Sequence, residues 1–276
     1  MNKPILNPAS EKTLIAITKN MPQSLLLTGE NGVGLSVAGL YIAELVQIEP
    51  TIILPEKDEK IDLDKGIISV DIMRRLYDET RTKTSGERII IIDYAERMTS
   101  QAQNAFLKLL EEPGLGVHFI LVSHSLSKLL PTILSRTEKL EIKPITEVQS
   151  NQLLDDLNVN DKTKRSQLLF IASGLPAELT RLINDETYFT KRGLTVRDAR
   201  DLINGNNYQK LLIAQRYKDD RAGVLVLLLD MANILKHSIV TSPQIDKISR
   251  IDAILDAYQQ IESNGNIRLC LARMVL

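Results

Sequence analysis

Four consecutive isoleucines, Ile89-Ile90-Ile91-Ile92, closed by Asp93, leave a chain few ways to fold. β-Branched residues favour extended backbone, and successive strand side chains point to opposite faces. An uninterrupted apolar run therefore needs cover on both faces, the condition of a central strand in a parallel sheet layered between helices. Ser24-Leu25-Leu26-Leu27-Thr28, Thr51-Ile52-Ile53-Leu54, Phe119-Ile120-Leu121-Val122-Ser123 and Leu140-Glu141-Ile142 repeat the theme. Between them, 36–46, 70–82 and 100–112 carry apolar residues at helical spacing. This alternation predicts a three-layer α/β domain. Ser100 with Gln103 predicts a capping box at the start of the third helix, and Pro113 sets its end.

After Pro144 the strand signals vanish. Helical spacing covers 149–157, 162–173 and 177–184, broken by Gly174-Leu175-Pro176, and then 196–203, 208–217, 222–238 and 245–263. The run Val224-Leu225-Val226-Leu227-Leu228-Leu229 predicts a helix buried nearly all round. The expected division is an α/β domain over 1–144, a small helical domain over 145–187 and a helical C-terminal domain over 188–276. With 4% aromatic residues and no Trp, the cores must be aliphatic. A net charge of −1 gives no global field for a polyphosphate, so any DNA contact is local or shared with partners. One cysteine and three scattered histidines offer no ligand spacing, so no metal is expected. No apolar run approaches the roughly 18–20 residues of a membrane span and no signal pattern opens the chain, so a cytoplasmic protein with no membrane partner is expected.

Gly29-Glu30-Asn31-Gly32-Val33-Gly34-Leu35-Ser36 follows a strand and opens a helix, the setting of a phosphate-binding loop. Glycines let backbone N–H groups converge on phosphate oxygens at a helix N-terminus. Gly29, Gly34, Ser36 and the strand-end Asp93 are the candidate nucleotide-site residues, the carboxylate of Asp93 placed to hold Mg²⁺. The lysine that would neutralise phosphate charge is replaced by Leu35, which has neither charge nor donor. On the loop alone, an ordinary Gly-rich strand-to-helix turn is an equal reading.

The stretch Ile-Ile-Ile-Ile-Asp-Tyr-Ala-Glu-Arg-Met-Thr-Ser-Gln-Ala-Gln-Asn-Ala-Phe-Leu-Lys-Leu-Leu-Glu-Glu-Pro, residues 89–113, resembles the bacterial clamp-loader subunits of DNA polymerase III, of the AAA+ class. Residues 119–137, a strand followed by Lys128-Leu129-Leu130-Pro131-Thr132-Ile133-Leu134-Ser135-Arg136-Thr137, continue the likeness. The resemblance implies a RecA-like AAA+ domain, a helical lid and an all-helical collar. It also implies that Tyr94 stands where hydrolysing relatives carry the water-activating Glu; a phenol is a poor base at neutral pH, and Glu96 is expected to point elsewhere. Ser135-Arg136-Thr137 looks like the family's Ser-Arg-Cys motif, which makes Arg136 an arginine finger for a neighbouring subunit's ATP site. The plainer alternative is a surface arginine at the C-terminal end of its own helix. The four-cysteine zinc module of many relatives is absent, and Pro176 or Ala177 falls where hydrolysing relatives place a sensor arginine, with Arg181 left to the surface. These departures imply a delta-prime-type stator with no ATPase of its own and no required cofactor, binding ATP or ADP weakly at most. It would support ATP-dependent loading of the sliding clamp. Its partners would be the motor ATPase subunits and a delta-like subunit, with the clamp and primed DNA met indirectly. A gamma/tau-type motor and a degenerate AAA+ scaffold of another DNA-repair complex are the alternatives.

Overall fold

In the computed structural model, which describes residues 3–63, 65–81, 86–241 and 245–275, the isoleucines of the run alternate between two cores. Ile90 and Ile92 pack with Leu26, Phe119 and Leu121 against one set of helices. Ile89 and Ile91 pack with Leu25, Leu27, Ile120 and Val122 against another. The strand they form, β5 (Arg88–Ile92), lies inside a five-stranded sheet ordered β2-β5-β6-β1-β7, with β1 at Ser24–Thr28, β2 at Thr51–Ile53, β6 at Val117–Ser123 and β7 at Glu138–Glu141. Every pairing in it is parallel. The AAA+-like α/β expectation therefore holds in topology as well as in class.

One face is covered by α3 (Val70–Arg81), α4 (Ser100–Glu111) and the short α5 (Pro131–Leu134), the other by α1 (Pro8–Thr18) and α2 (Leu35–Leu45). The predicted end of α3 at Thr82 lies outside the described residues. The start of α4 differs from expectation. Its cap is Thr99, whose hydroxyl accepts from Ala102 N at 3.1 Å, and Ser100 is the first helical residue. Gln103 is buried instead: its Nε2 donates to Met98 O (3.2 Å) and Lys128 O (3.0 Å), and its Oε1 accepts from Leu130 N (2.7 Å). A neighbouring loop with unmet backbone groups outcompeted the local box, since a buried amide must satisfy both its ends. Sequence reading also missed α1, capped by Asn7 and tied by its Nδ2 to Pro144 O at 2.7 Å, and the hairpin of β3 (Glu56–Lys57) and β4 (Lys60–Ile61).

Seven helices follow: α6 (Glu147–Asp156), α7 (Lys162–Ala172), α8 (Pro176–Asn184), α9 (Glu186–Asn204), α10 (Asn207–Arg216), α11 (Arg221–Thr241) and α12 (Ile245–Glu262), before a last, unforeseen α13 (Ile267–Val275). The contacts group the chain into two units, Met1–Arg165 with Ala172–Thr180, and Ser166–Ile171 with Arg181–Leu276. In the second, Val224, Leu227, Leu228, Met231 and Leu235 of α11 meet Ala199, Leu202, Ile254, Ile261 and Leu271. The helix is buried along a stripe and not all round, for Leu229 is 46% exposed. By length and composition 221–239 is apolar enough to cross a membrane, against the sequence expectation. Asp230 lies within that stretch, buried, and accepts two bonds from Arg192 of α9 at 2.7 and 3.0 Å. A second polar group joins α9 to α10: Asp198 accepts from Arg216 at 2.7 Å and from the Tyr217 hydroxyl at 3.0 Å. Burial, and then the Asp198 charge, push the Tyr217 phenol up to about 12.

Candidate nucleotide site and the arginine at the far edge

The phosphate-type loop leaves β1 at Gly29, where a Cβ would meet the Ile142 carbonyl at 2.6 Å, so only glycine fits without backbone movement. Gly34, at φ +92°, caps α2 in the left-handed region that glycine enters freely. Between them Val33 N donates to Glu30 O at 3.1 Å, closing the loop. The residue in the lysine slot turns inward: Leu35 is 1% exposed and packs with Leu25, Val33, Ala38 and Ile42. An apolar side chain at the first turn of a core-facing helix gains by burial what a lysine would lose by it.

Ser36 and Asp93 do come together as the sequence suggested. The serine side chain lies close enough to the carboxylate of Asp93 to favour its charged form; Asp93 is 7% exposed and accepts from Tyr94 N at 3.0 Å. Burial raises the Asp93 carboxyl above the ordinary carboxylate range; Ser36, the Tyr94 amide and the nearby His124 pull it back, and Glu96 pushes it up further. Glu96 thus lies within electrostatic reach of Asp93. Its Oε2 is buried with no hydrogen-bond partner among the described residues. The hydroxyl and carboxylate are the oxygen donors a phosphate-bound Mg²⁺ would use, with no cation in the lysine slot to balance the phosphates. Among the described residues no group of three or more His, Cys, Asp or Glu could hold a metal ion by itself.

Tyr94 takes a left-handed backbone, φ 55°, at the head of the 3₁₀ turn Ala95–Arg97. Its ring meets His124 edge-on at 6.2 Å, and the Arg97 guanidinium lies 5.2 Å from its centroid. His124 Nδ1 is 3.3 Å from Gly29 O. Sequence reasoning missed His124 and Arg97 as members of this group. One signal was available: His124 directly follows the last residue of β6, which lies beside β1 and ends at the same edge of the sheet. The loop is covered from α8. Ala177 N donates to Gly32 O at 3.1 Å, and Leu175 and Glu178 lie 3.6–3.7 Å from where a Gly32 Cβ would stand. The positions the resemblance pairs with a sensor arginine are Pro176 and Ala177, neither of which brings a positive charge. Arg181 stacks on Tyr188 at 3.8 Å.

Arg136 is elsewhere. It comes just before β7, whose first residue, Glu138, pairs with Leu25 near the start of β1; the phosphate-type loop leaves the other end of β1. About 10 Å of strand separates those ends, so Arg136 and its own loop occupy opposite edges of the sheet. The side chain is 39% exposed; Nη1 donates to Thr132 O (3.1 Å) and Nη2 to Glu111 Oε1 (2.8 Å). The bond to Thr132 is the helix-end contact of the plainer reading. Ser135 Oγ donates to the same carbonyl at 3.1 Å, shaping the turn that carries the arginine.

A family described as "DNA polymerase III, delta subunit" matches residues 47–146. The delta' subunit of DNA polymerase III from Bacillus subtilis is 23% identical over 218 residues, 70% of this chain and 66% of that protein. The delta' subunit from Pseudomonas aeruginosa is 39% identical over 84 residues, 30% of this chain and 24% of that protein. A replication factor C small subunit from Thermofilum pendens is 31% identical over 144 residues, 49% of this chain and 42% of that protein. The chain thus spans less than two thirds of the length of these relatives. Among solved structures, a DNA polymerase III gamma subunit-related protein of Thermotoga maritima superposes with TM-score 0.50 at 19% identity, over 96% of this chain and 97% of that one. The RuvB Holliday junction branch migration motor of the same organism gives TM-score 0.51 at 15% identity, over 85% of this chain and 76% of that one. These two likenesses support the fold, an α/β sheet domain followed by helices, and over the stretches they cover the sequence matches make the chain similar to clamp-loader-type subunits of DNA polymerase III.

Proposed function

We propose that the chain is a delta-prime-type stator of the DNA polymerase III clamp loader, one that hydrolyses no ATP itself and lends Arg136 to the ATP site of an adjacent motor subunit. The observation that carries this reading is the contrast between Leu35, buried where a phosphate loop needs its cation, and Arg136, exposed at the opposite edge of the sheet. A guanidinium there lies away from its own phosphate-type loop, and its planar, permanently charged fork suits phosphate oxygens of another subunit. Such fingers are worth about 10³–10⁵ in rate. The 145–187 segment would then serve as a lid fixed over an idle loop, and the helices from 188 on as the collar joining the other subunits. In this reading the protein works in the cytoplasm, meeting the sliding clamp and primed DNA through its partners. The motor alternative is opposed by Leu35 and by Tyr94, a phenol packed against His124 where a base is required. The test is ATP turnover and nucleotide binding by the purified chain. Background turnover and no tight nucleotide binding are expected; sustained hydrolysis by the wild-type chain would overturn the stator reading.

A further inference from the structure

Within the helical unit, the second half of α7 and one stripe of α9 enclose a cavity of about 460 Å³, within the roughly 300–1,000 Å³ of ligand pockets. Phe189, Gly193, Val196 and Arg200 repeat along α9 at spacings of four, three and four, so they share one helix face. Phe170 and Ile171 face them from α7, and Phe170 is held by His237, whose ring lies 5.8 Å from its own. The floor is therefore apolar and partly fixed. The buried Arg192–Asp230 pair anchors the same stretch of α9 to α11.

Two features make this hollow more than a packing gap. Glycine inside a helix destabilises it relative to alanine, yet Gly193 sits mid-helix with nothing within 4 Å of where a Cβ would be. It leaves room above the apolar floor. The charge is one-sided: Arg197 and Arg200 border the cavity, both exposed and without an ion-pair partner among the described residues, and no carboxylate lines it. The nearby acids, Asp198 and Asp201, line a separate hollow on the other side of Arg197.

We propose that this groove binds an extended acidic peptide of a partner protein, with one large apolar side chain seated between Phe170 and Phe189 and flanking carboxylates held by Arg197 and Arg200. The stripe from Phe189 to Arg200 runs about 17 Å at the helical rise, the reach of about five extended residues, longer than a compact metabolite. Arginine forks match carboxylates with two parallel bonds. A single-stranded nucleic acid is the less favoured occupant: two cations on a chain of net charge −1 offer little to a polyphosphate.

The test is fluorescence anisotropy on the full chain. The probes are a labelled aspartate-rich peptide with one central phenylalanine, the same peptide with alanine at that place, and a labelled oligothymidylate. Saturable binding of the phenylalanine peptide is expected, weakened about tenfold or more by Arg197→Glu with Arg200→Glu, and to a similar degree by Gly193→Leu or by the alanine peptide. All three positions are exposed, so wild-type thermal midpoints are expected, and either variant alone decides. No saturable peptide binding, affinity unchanged in either variant, or tighter binding of the oligothymidylate would overturn the proposal.

Discussion

The two ends of the central strands carry the two motifs singled out in the sequence, and the fold holds them differently. At the end where β1, β5 and β6 finish, the loop's groups face one another: Ser36 lies beside Asp93, the Tyr94 amide bonds Asp93, Ala177 bonds Gly32, and Leu35 fills the core. At the other edge, Arg136 stands in solvent reach with two surface contacts. Groups that face inward have become part of the fold's stability, while the group that faces outward contributes little to it. The loop glycines and Asp93 are held in place by packing and hydrogen bonding whatever chemistry the site carries.

That contrast is sharpest at Leu35. Leu35→Lys, meant to restore the missing cation, should cost on the order of 3–5 kcal/mol, since the slot now buries an apolar side chain and a lysine there must shed its water or its charge. Chemical denaturation reads the loss, and on the proposed stator reading no ATP turnover should appear with it, because Tyr94 would still stand where a base is required. Gly29→Ala should cost about 1–3 kcal/mol, as the new methyl falls 2.6 Å from the Ile142 carbonyl and β7 must yield. A neutral outcome for either would mean the loop edge is looser than its packing indicates.

Asp93 gives a pH test of the same edge. Burial raises its carboxyl, so the folded state holds the proton more tightly than the unfolded state does. Its contribution to stability is fully present below the unfolded value and is lost as pH rises through the folded one. Asp93→Asn should therefore raise the thermal midpoint at neutral pH, and the gain should shrink as pH falls toward the ordinary carboxylate range. A destabilised Asn variant at neutral pH would show that Ser36 and the Tyr94 amide outweigh the burial. The smallest effect belongs to the far edge: Arg136→Ala should change stability by no more than about 0.5 kcal/mol.

The sheet was legible in sequence because its signal is local: a doubly buried strand must be apolar at every position, as the isoleucine run is. The pairing of Ser36 with Asp93 was legible for the same reason, each sitting at a fixed step after its strand. What escaped depended on contacts distant in sequence. Gln103 abandons its own helix cap for carbonyls at Met98 and Lys128. His124 joins Tyr94 only once β6 is laid beside β5. Leu229 is exposed because α11 faces neighbours on one side, which a run of apolar letters does not reveal.

The most direct test of the division between the two edges is a clamp loader reconstituted with wild-type or Arg136→Ala chain, followed by DNA-stimulated ATP turnover and clamp-loading rate. The mutant should fold and assemble normally, yet turnover should fall at the one ATP site this subunit completes, and loading should slow. Arg136→Lys should recover little, since a point charge cannot reproduce the two-pronged contact. A fully assembled mutant loader that turns over ATP and loads clamps at the wild-type rate would contradict the trans role and leave Arg136 an ordinary surface arginine paired with Glu111.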